Sequence, residues 1–199
     1  MDDGYKLRKR IEQGKQAKSD GDFFERMILD ACFRYQMRGD AFIEKTPEPL
    51  KPIKRLPSGR FSAKYDMKAQ PDFKGTLNGG RAICFEAKAT NSDRIACNRL
   101  QPQQIDALLL HEKLGAVVFI LVMFLKENQC FRVPLKYWLS ASDLYGRNYF
   151  KMEELKKFLI PTAGMKIDFL KEPQKTGYEL NEQLFENCIQ EQKVKEFEL

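Results

Sequence analysis

One stretch, from Pro71 to Thr90, constrains the fold of this chain most strongly because it has the pattern of a tight β-hairpin. Asn78-Gly79-Gly80 can supply the positive φ angles of a short turn, and strand-forming residues flank it on both sides. Since side chains alternate along a strand, Glu86 and Lys88 point to the same face. The pattern predicts that Asp72, at the start of the hairpin, converges with them on one spot.

These three side chains carry a recognisable chemistry. Two carboxylates bind a hard divalent cation through oxygen, and Asp72 and Glu86 are the candidate metal ligands. Lys88 can orient the attacking water or help to deprotonate it, and it can stabilise phosphate charge. The set indicates hydrolysis of a phosphodiester. Because the motif is short and built from common residues, a solvated hairpin with scattered charges is the alternative.

Composition restricts the class of protein. The chain has 199 residues, of which 43% are hydrophobic and 31% are charged, as expected for one globular domain with appendages. The net charge of +6 favours a polyanionic partner such as nucleic acid. Five cysteines without a C-x-x-C pair argue against a structural zinc site and indicate a reducing compartment, so we expect a cytoplasmic protein. We also expect no membrane partner and no small-molecule cofactor.

Apolar periodicity predicts the main elements. The spacing over Ser19–Arg38 predicts an amphipathic helix that ends at Gly39, and a short strand is expected at 41–45. The ten-residue apolar run Ala116–Leu125 is too short to cross a bilayer and predicts a buried central strand. We expect a flexible basic arm over 1–18, a main domain over 19–160, and a tail or helix over 161–199.

Two further residues are candidates for the site. Glu25 lies at the edge of the buried face of the first helix, where a carboxylate is either solvated or can reach a metal over the rim of the core. Spacing alone favours the solvated position. Gln104 lies in the first turn of a helix that Pro102 opens, and it could hydrogen-bond a phosphate oxygen or a water of the metal.

A basic, proline-rich segment at about 48–70 separates the short strand from the hairpin. Its cations can neutralise phosphates, and its aromatic residues can stack on bases. A solvated surface loop is the alternative, because charge runs are usually only solvated. The candidate DNA-binding residues are Lys51, Lys54, Arg55, Arg60, Lys64 and Lys68.

The order of elements predicts the fold class. A helix and a strand precede the basic, proline-rich segment at about 48–70. Two strands, a helix and two further strands follow it. This order favours an α+β sandwich, with a mixed central sheet flanked by helices and a projecting basic stalk. Pattern alone does not predict the order of strands in the sheet.

Between about Gly21 and Val133 the chain resembles the RecU-type Holliday junction resolvases of the PD-(D/E)xK restriction-endonuclease-like superfamily. The landmarks are Gly21-x-x-Phe24-Glu25, Lys45-Thr-Pro-Glu-Pro-Leu50, Asp72-Phe-Lys-Gly75, Phe85-Glu-Ala-Lys-Ala-Thr90 and Gln104-Ile105.

The resemblance implies a nuclease that resolves four-way DNA junctions by paired nicks. It implies that Asp72 and Glu86 bind Mg²⁺ or Mn²⁺, that Lys88 is catalytic, and that Glu25 and Gln104 belong to the site. It also implies a homodimer whose stalk, over 52–70, enters the centre of the junction.

The chain departs from that family at one point. Members usually carry Ser or Thr just before the first aspartate, whereas this chain has Gln70-Pro71, so a hydroxyl group is missing beside the site. Other nucleases on the same core, of the restriction or repair type, remain alternatives. A non-catalytic junction-binding recombination protein and a protein-interaction module are further alternatives.

Overall fold

The computed structural model describes residues 3–47, 50–56, 59–65 and 70–171; the side chains of 3–11, 50–52 and 63–65 are outside the description. The strands, in chain order, are β1 (Ala41–Lys45), β2 (Leu50–Arg55), β3 (Phe61–Tyr65), β4 (Phe73–Leu77), β5 (Ala82–Thr90), β6 (Arg94–Ala96), β7 (Val117–Phe124), β8 (Gln129–Pro134), β9 (Tyr149–Lys151), β10 (Thr162–Ala163) and β11 (Lys166–Ile167). The helices are α1 (Asp3–Arg38), α2 (Pro102–Lys113), α3 (Leu135–Leu139) and α4 (Ala141–Tyr145).

The first helix, α1, is longer than its apolar pattern indicates. It ends at Arg38 before Gly39 (φ 73°), as predicted, but it begins at Asp3 rather than near Ser19. Residues 3–18, where a flexible basic arm was expected, are helical in the structure, and the flexibility of this segment stays a prediction. Residues 12–19 are exposed and show no apolar period, yet their Lys, Gln, Glu and Ala residues favour a helix that continues from the packed part. Within the described ranges, no helix is both long and apolar enough to cross a bilayer.

Five strands form the central sheet in the order β1-β4-β5-β7-β8. The β5–β7 pair is parallel and the other neighbours are antiparallel, so the predicted mixed sheet is confirmed. The parallel pair needs a crossover connection, which β6, a short 3-10 helix and α2 provide. The run at Ala116–Leu125 becomes β7, and its residues from Val118 to Phe124 are all buried.

The predicted hairpin with the turn Asn78-Gly79-Gly80 is formed by β4 and β5. Gly79 and Gly80 both have φ of 87°, the left-handed conformation that a residue without Cβ adopts readily. Gly75 lies against the edge strand β1: an added Cβ would overlap the Phe42 carbonyl oxygen and come within 2.6 Å of Ile43 Cα. The absence of a side chain at Gly75 therefore lets β1 and β4 pair closely.

Each face of the sheet carries its own hydrophobic core. On the face that α1 covers, Phe73, Phe85 and Phe119 form a continuous stack with centroid distances of 5.0 and 4.8 Å. On the face that α2 covers, Cys84, Ile120 and Val122 pack against Leu108 of α2 and Trp138 of α3, among others. Alternate residues of β5 thus belong to opposite cores, and we call these two sides the α1 face and the α2 face.

Two smaller pairs of strands lie outside the central sheet. β2 and β3 form an antiparallel pair over part of the basic segment, with a register shift between Pro52 and Lys54. β6 pairs with β9, and a 3-10 helix at Met152–Phe158 follows.

Residues 161–171 pack against the core, in contrast to the predicted tail. Ile167 and Phe169 are buried on the α1 face, and Phe169 makes an edge contact with Tyr35 of α1 at 5.0 Å between centroids. The Tyr35 hydroxyl donates to Asp168 at 2.9 Å and accepts from the Leu170 N–H at 3.2 Å. Isolated apolar residues such as these have no period, so only their long-range contacts place them.

The division of the chain into domains stays a prediction.

Candidate active site

The pairing of β4 with β5 sets the two candidate metal ligands opposite each other. Phe73 aligns with Phe85, so Asp72 faces Glu86 one residue earlier along β4. The backbone N–H of Asp72 donates to Glu86 Oε1 at 3.2 Å, and the N–H of Ala87 donates to Asp72 Oδ2 at 3.0 Å. Both carboxylates therefore lie at one point, on the same side of the hairpin.

Lys88 joins them from the α2 face. Its Nζ lies 2.8 Å from Glu86 Oε2 and 3.8 Å from Asp72 Oδ2. Its side chain is 13% exposed and that of Asp72 is 37% exposed, so solvent reaches the cluster mainly beside Asp72. The structure thus brings together the acid, acid and lysine that the spacing predicts.

Glu86 has an unusual electrostatic environment, since it is entirely buried. Burial raises its pKa to about 8; Lys88 opposes the rise and Asp72 adds to it. In the protein without a cation, this carboxyl group therefore binds a proton near neutral pH. A divalent ion beside it would favour the ionised form.

Gln104 reaches the cluster through Glu86. Its Nε2 donates to Glu86 Oε2 at 2.7 Å, while its Oε1 accepts from the Gln101 backbone N–H at 3.1 Å. The second bond is part of the capping box at the N-terminus of α2, where Pro102 occupies the first turn. The contact seen is with a carboxylate rather than with a phosphate, and the catalytic part of Gln104 stays a prediction.

Glu25 lies on α1, the helix that covers the α1 face of the sheet. It accepts a hydrogen bond from Lys45 Nζ at 2.6 Å, and Lys45 aligns with Phe73 of the α1 face. Among the described residues, its side chain forms its ion pair with Lys45 rather than with Lys88 of the cluster. Its part as a site residue stays a prediction.

The candidate DNA-binding cations divide into two groups. Lys54, Arg55 and Arg60 are exposed in and beside the β2–β3 pair, and the Arg55 guanidinium lies 5.9 Å from the ring centroid of Phe61. Phe61 is itself 59% exposed, so this segment presents aromatic as well as cationic groups. The side chains of Lys51 and Lys64, and the whole of Lys68, lie outside the described residues.

The donors present fit a hard cation with few protein ligands. Among the residues that the structure describes, no group of three or more His, Cys, Asp or Glu side chains is arranged to hold a metal. Mg²⁺ is commonly bound by only one or two carboxylates, together with water and substrate phosphates, and Asp72 with Glu86 meets that requirement. In addition, the hydroxyl oxygen of Thr46 is buried without a hydrogen-bond partner.

A family model described as RecU, Recombination protein U, matches residues 19–175. The chain belongs to the RecU family. The resemblance inferred from the sequence landmarks is therefore confirmed. The matched range includes every residue of the cluster, and it also includes residues 161–171, where a tail or helix was predicted.

Two RecU proteins illustrate the similarity. Holliday junction resolvase RecU of Pediococcus pentosaceus is 30% identical over 119 residues, which are 55% of this chain and 59% of that protein. Holliday junction resolvase RecU of Shouchella clausii is 26% identical over 125 residues, 60% of each. The chain thus spans about three fifths of the length of the curated relatives it matches.

A solved structure is also similar to this member of the RecU family. It is Hjc of Archaeoglobus fulgidus, a Holliday junction resolvase from an archaeal hyperthermophile. The match has a TM-score of 0.41 and 13% identity, and covers 68% of this chain and 86% of that one.

Proposed function

We propose that this RecU-family chain is a divalent-metal-dependent endonuclease that resolves Holliday junctions by paired nicks during DNA recombination and repair. The observation that carries the proposal is the convergence of Asp72, Glu86 and Lys88 on one face of the sheet. The names of its relatives, both Holliday junction resolvases, supply the substrate class.

Asp72 and Glu86 would hold the ion, with Mg²⁺ or Mn²⁺ as the candidates. When bound, such an ion supplies positive charge that stabilises the phosphoryl oxygens and makes water more acidic. Glu86 must lose its proton to serve as a ligand. The Lys88 ammonium, 2.8 Å from Glu86 Oε2, favours that ionised form.

Lys88 would also act on the reaction itself. With its Nζ within 3.8 Å of both carboxylates, it lies where it can position the attacking water and help to deprotonate it. Attack of the water oxygen on phosphorus, with cleavage of the bond to the 3′ oxygen, leaves 5′-phosphate and 3′-hydroxyl ends. Gln104 would hold the Glu86 carboxylate in place through its 2.7 Å hydrogen bond.

A homodimer would account for paired nicks. Two copies related by a two-fold axis present two active sites, which suits a four-way junction with the same symmetry. The exposed cations Lys54, Arg55 and Arg60 would contact phosphates around the centre of the junction, and such contacts depend strongly on salt. Shape rather than base sequence would then dominate recognition.

The test is incubation of the full chain with a mobile four-way junction and Mg²⁺, followed by mapping of the cuts on all four strands. We expect symmetric nicks on two like strands, with linear duplex and single-stranded DNA cut far less. Asp72→Asn is expected to abolish cleavage and to retain salt-dependent junction binding. Equal cutting of linear duplex would favour a restriction or repair nuclease instead, and binding without any cleavage would favour a non-catalytic recombination protein.

A further inference from the structure

The position of Thr46 leads to a residue role that the motifs do not assign. The Thr46 backbone N–H donates to the Asp72 carbonyl oxygen at 2.8 Å, which extends the β1–β4 register by one residue beyond the Lys45–Phe73 pair. Directly opposed residues of an antiparallel pair point to the same face of the sheet. Thr46, Asp72 and Glu86 therefore form one row across three strands.

Neighbouring rows support this placement. Lys45, Phe73 and Phe85 align in the adjacent row, and Phe73 and Phe85 are buried in the core of the α1 face. Side chains of the next row must alternate to the opposite side, so the Thr46 side chain lies on the α2 face with both carboxylates. Opposed Cβ atoms in such pairs are about 4.5–5.5 Å apart, which lets a threonine hydroxyl reach an aspartate oxygen.

The hydroxyl group of Thr46 lacks a hydrogen-bond partner. Its oxygen is buried and accepts or donates no hydrogen bond among the described residues. An unpaired buried hydroxyl destabilises a protein, so a partner at this position is expected in another state of the site. Asp72 is the neighbour that can supply one, because it lies opposite Thr46 in the register and its side chain is partly exposed.

We propose that Thr46 is a positioning residue, whose hydroxyl donates a hydrogen bond to the Asp72 carboxylate when the ion is bound. This inference rests on the proposed function. The two residues before Asp72 in this chain, Gln70 and Pro71, carry no hydroxyl group. Thr46 would supply a hydroxyl group to Asp72 from the neighbouring edge strand β1.

The test compares Thr46→Val with Thr46→Ser, using Mn²⁺ alone as the probe and the full chain without DNA. Thr46→Val keeps the branched shape and removes the hydroxyl, whereas Thr46→Ser keeps the hydroxyl. By calorimetric titration, we expect Thr46→Val to weaken Mn²⁺ binding about tenfold, in line with other groups that orient metal ligands, and Thr46→Ser to stay within about twofold of the parent chain.

Thermal unfolding without metal gives a second readout, because a positioning role and a purely structural role predict different changes in the unfolding temperature. Because the hydroxyl has no partner in that state, Thr46→Val is expected to unfold at the same temperature as the parent chain or at a higher one. A purely structural role would instead lower the unfolding temperature. Unchanged Mn²⁺ affinity in Thr46→Val, or its failure to fold, would overturn the inference.

Failure of the proposed function gives a different result. In that case the parent chain itself would show no Mn²⁺ binding that Asp72→Asn removes. If the parent chain binds Mn²⁺ through Asp72 and Thr46→Val binds it equally well, only the role of Thr46 is wrong. Junction cleavage adds a third readout, since Thr46→Val should lower kcat and leave the KM for the junction unchanged.

Discussion

The buried carboxyl group of Glu86 gives the metal-free protein an unusual dependence of stability on pH. Its pKa in the folded chain is raised by burial from an ordinary value of 4.5 to about 8. Between these values the folded state binds more protons at Glu86 than the unfolded state does. The free energy of unfolding should therefore fall as pH rises through this window, whereas carboxylates with lowered pKa values make it rise.

The magnitude follows from the size of that window. Each pH unit inside it changes the free energy of unfolding by about 1.4 kcal/mol, so going from about pH 5 to pH 7 costs roughly 2–3 kcal/mol. For a protein of this size the midpoint of thermal unfolding should fall by about 4–12 °C. Glu86→Gln carries no titratable proton and should remove this slope.

The assay is thermal or urea unfolding in EDTA at several pH values, for the parent chain and for Glu86→Gln. Only the difference between pH 5 and pH 7 is compared, because the new amide N–H₂ can face the Asp72 N–H or the Lys88 and Gln104 donors and lower stability at every pH. Asp106→Asn, on the exposed side of α2, is the matched control and should keep the parent slope. Parallel pH profiles for the parent chain and Glu86→Gln would refute the reasoning.

Three further substitutions test the fold and the site. Gly75→Ala should reduce the free energy of unfolding in urea by about 1–3 kcal/mol, since its Cβ would overlap β1; Gly14→Ala, with open space around it, is the control and should not destabilise, and equal effects would contradict the close approach. Phe169→Ala should cost about 3–5 kcal/mol in the same assay, and a loss below about 1 kcal/mol would show that residues 161–171 are not part of the core. Lys88→Met should remove measurable junction nicking while Mn²⁺ still binds by calorimetry, and retained nicking would exclude the catalytic part assigned to the lysine.

Local patterns predicted the elements whose residues contact one another over short distances in the chain. The 3.6-residue period marked the packed part of α1, and alternation around the glycine turn marked the β4–β5 hairpin. A local turn also fixes which residues of a hairpin face each other, so the meeting of Asp72 and Glu86 was predictable from spacing.

Elements that depend on distant partners were not predictable. Residues 12–18 are exposed and show no apolar period, so the pattern did not reveal that the helix extends through them. Phe169 is buried because it meets Tyr35, more than a hundred positions earlier in the chain. The pairing of Glu25 with Lys45 on the α1 face likewise depends on how α1 lies across the sheet.

By itself the sequence determined a mixed α+β chain with an acid, acid and lysine converging on one hairpin, because alternation and turn chemistry act over a few residues. Only the tertiary structure decided that β1 lies beside β4, which sets Thr46 opposite Asp72, and that α2 brings Gln104 to Glu86. The pairing of distant strands and the docking of helices follow from burying both faces of the sheet together, and a local pattern does not contain that information.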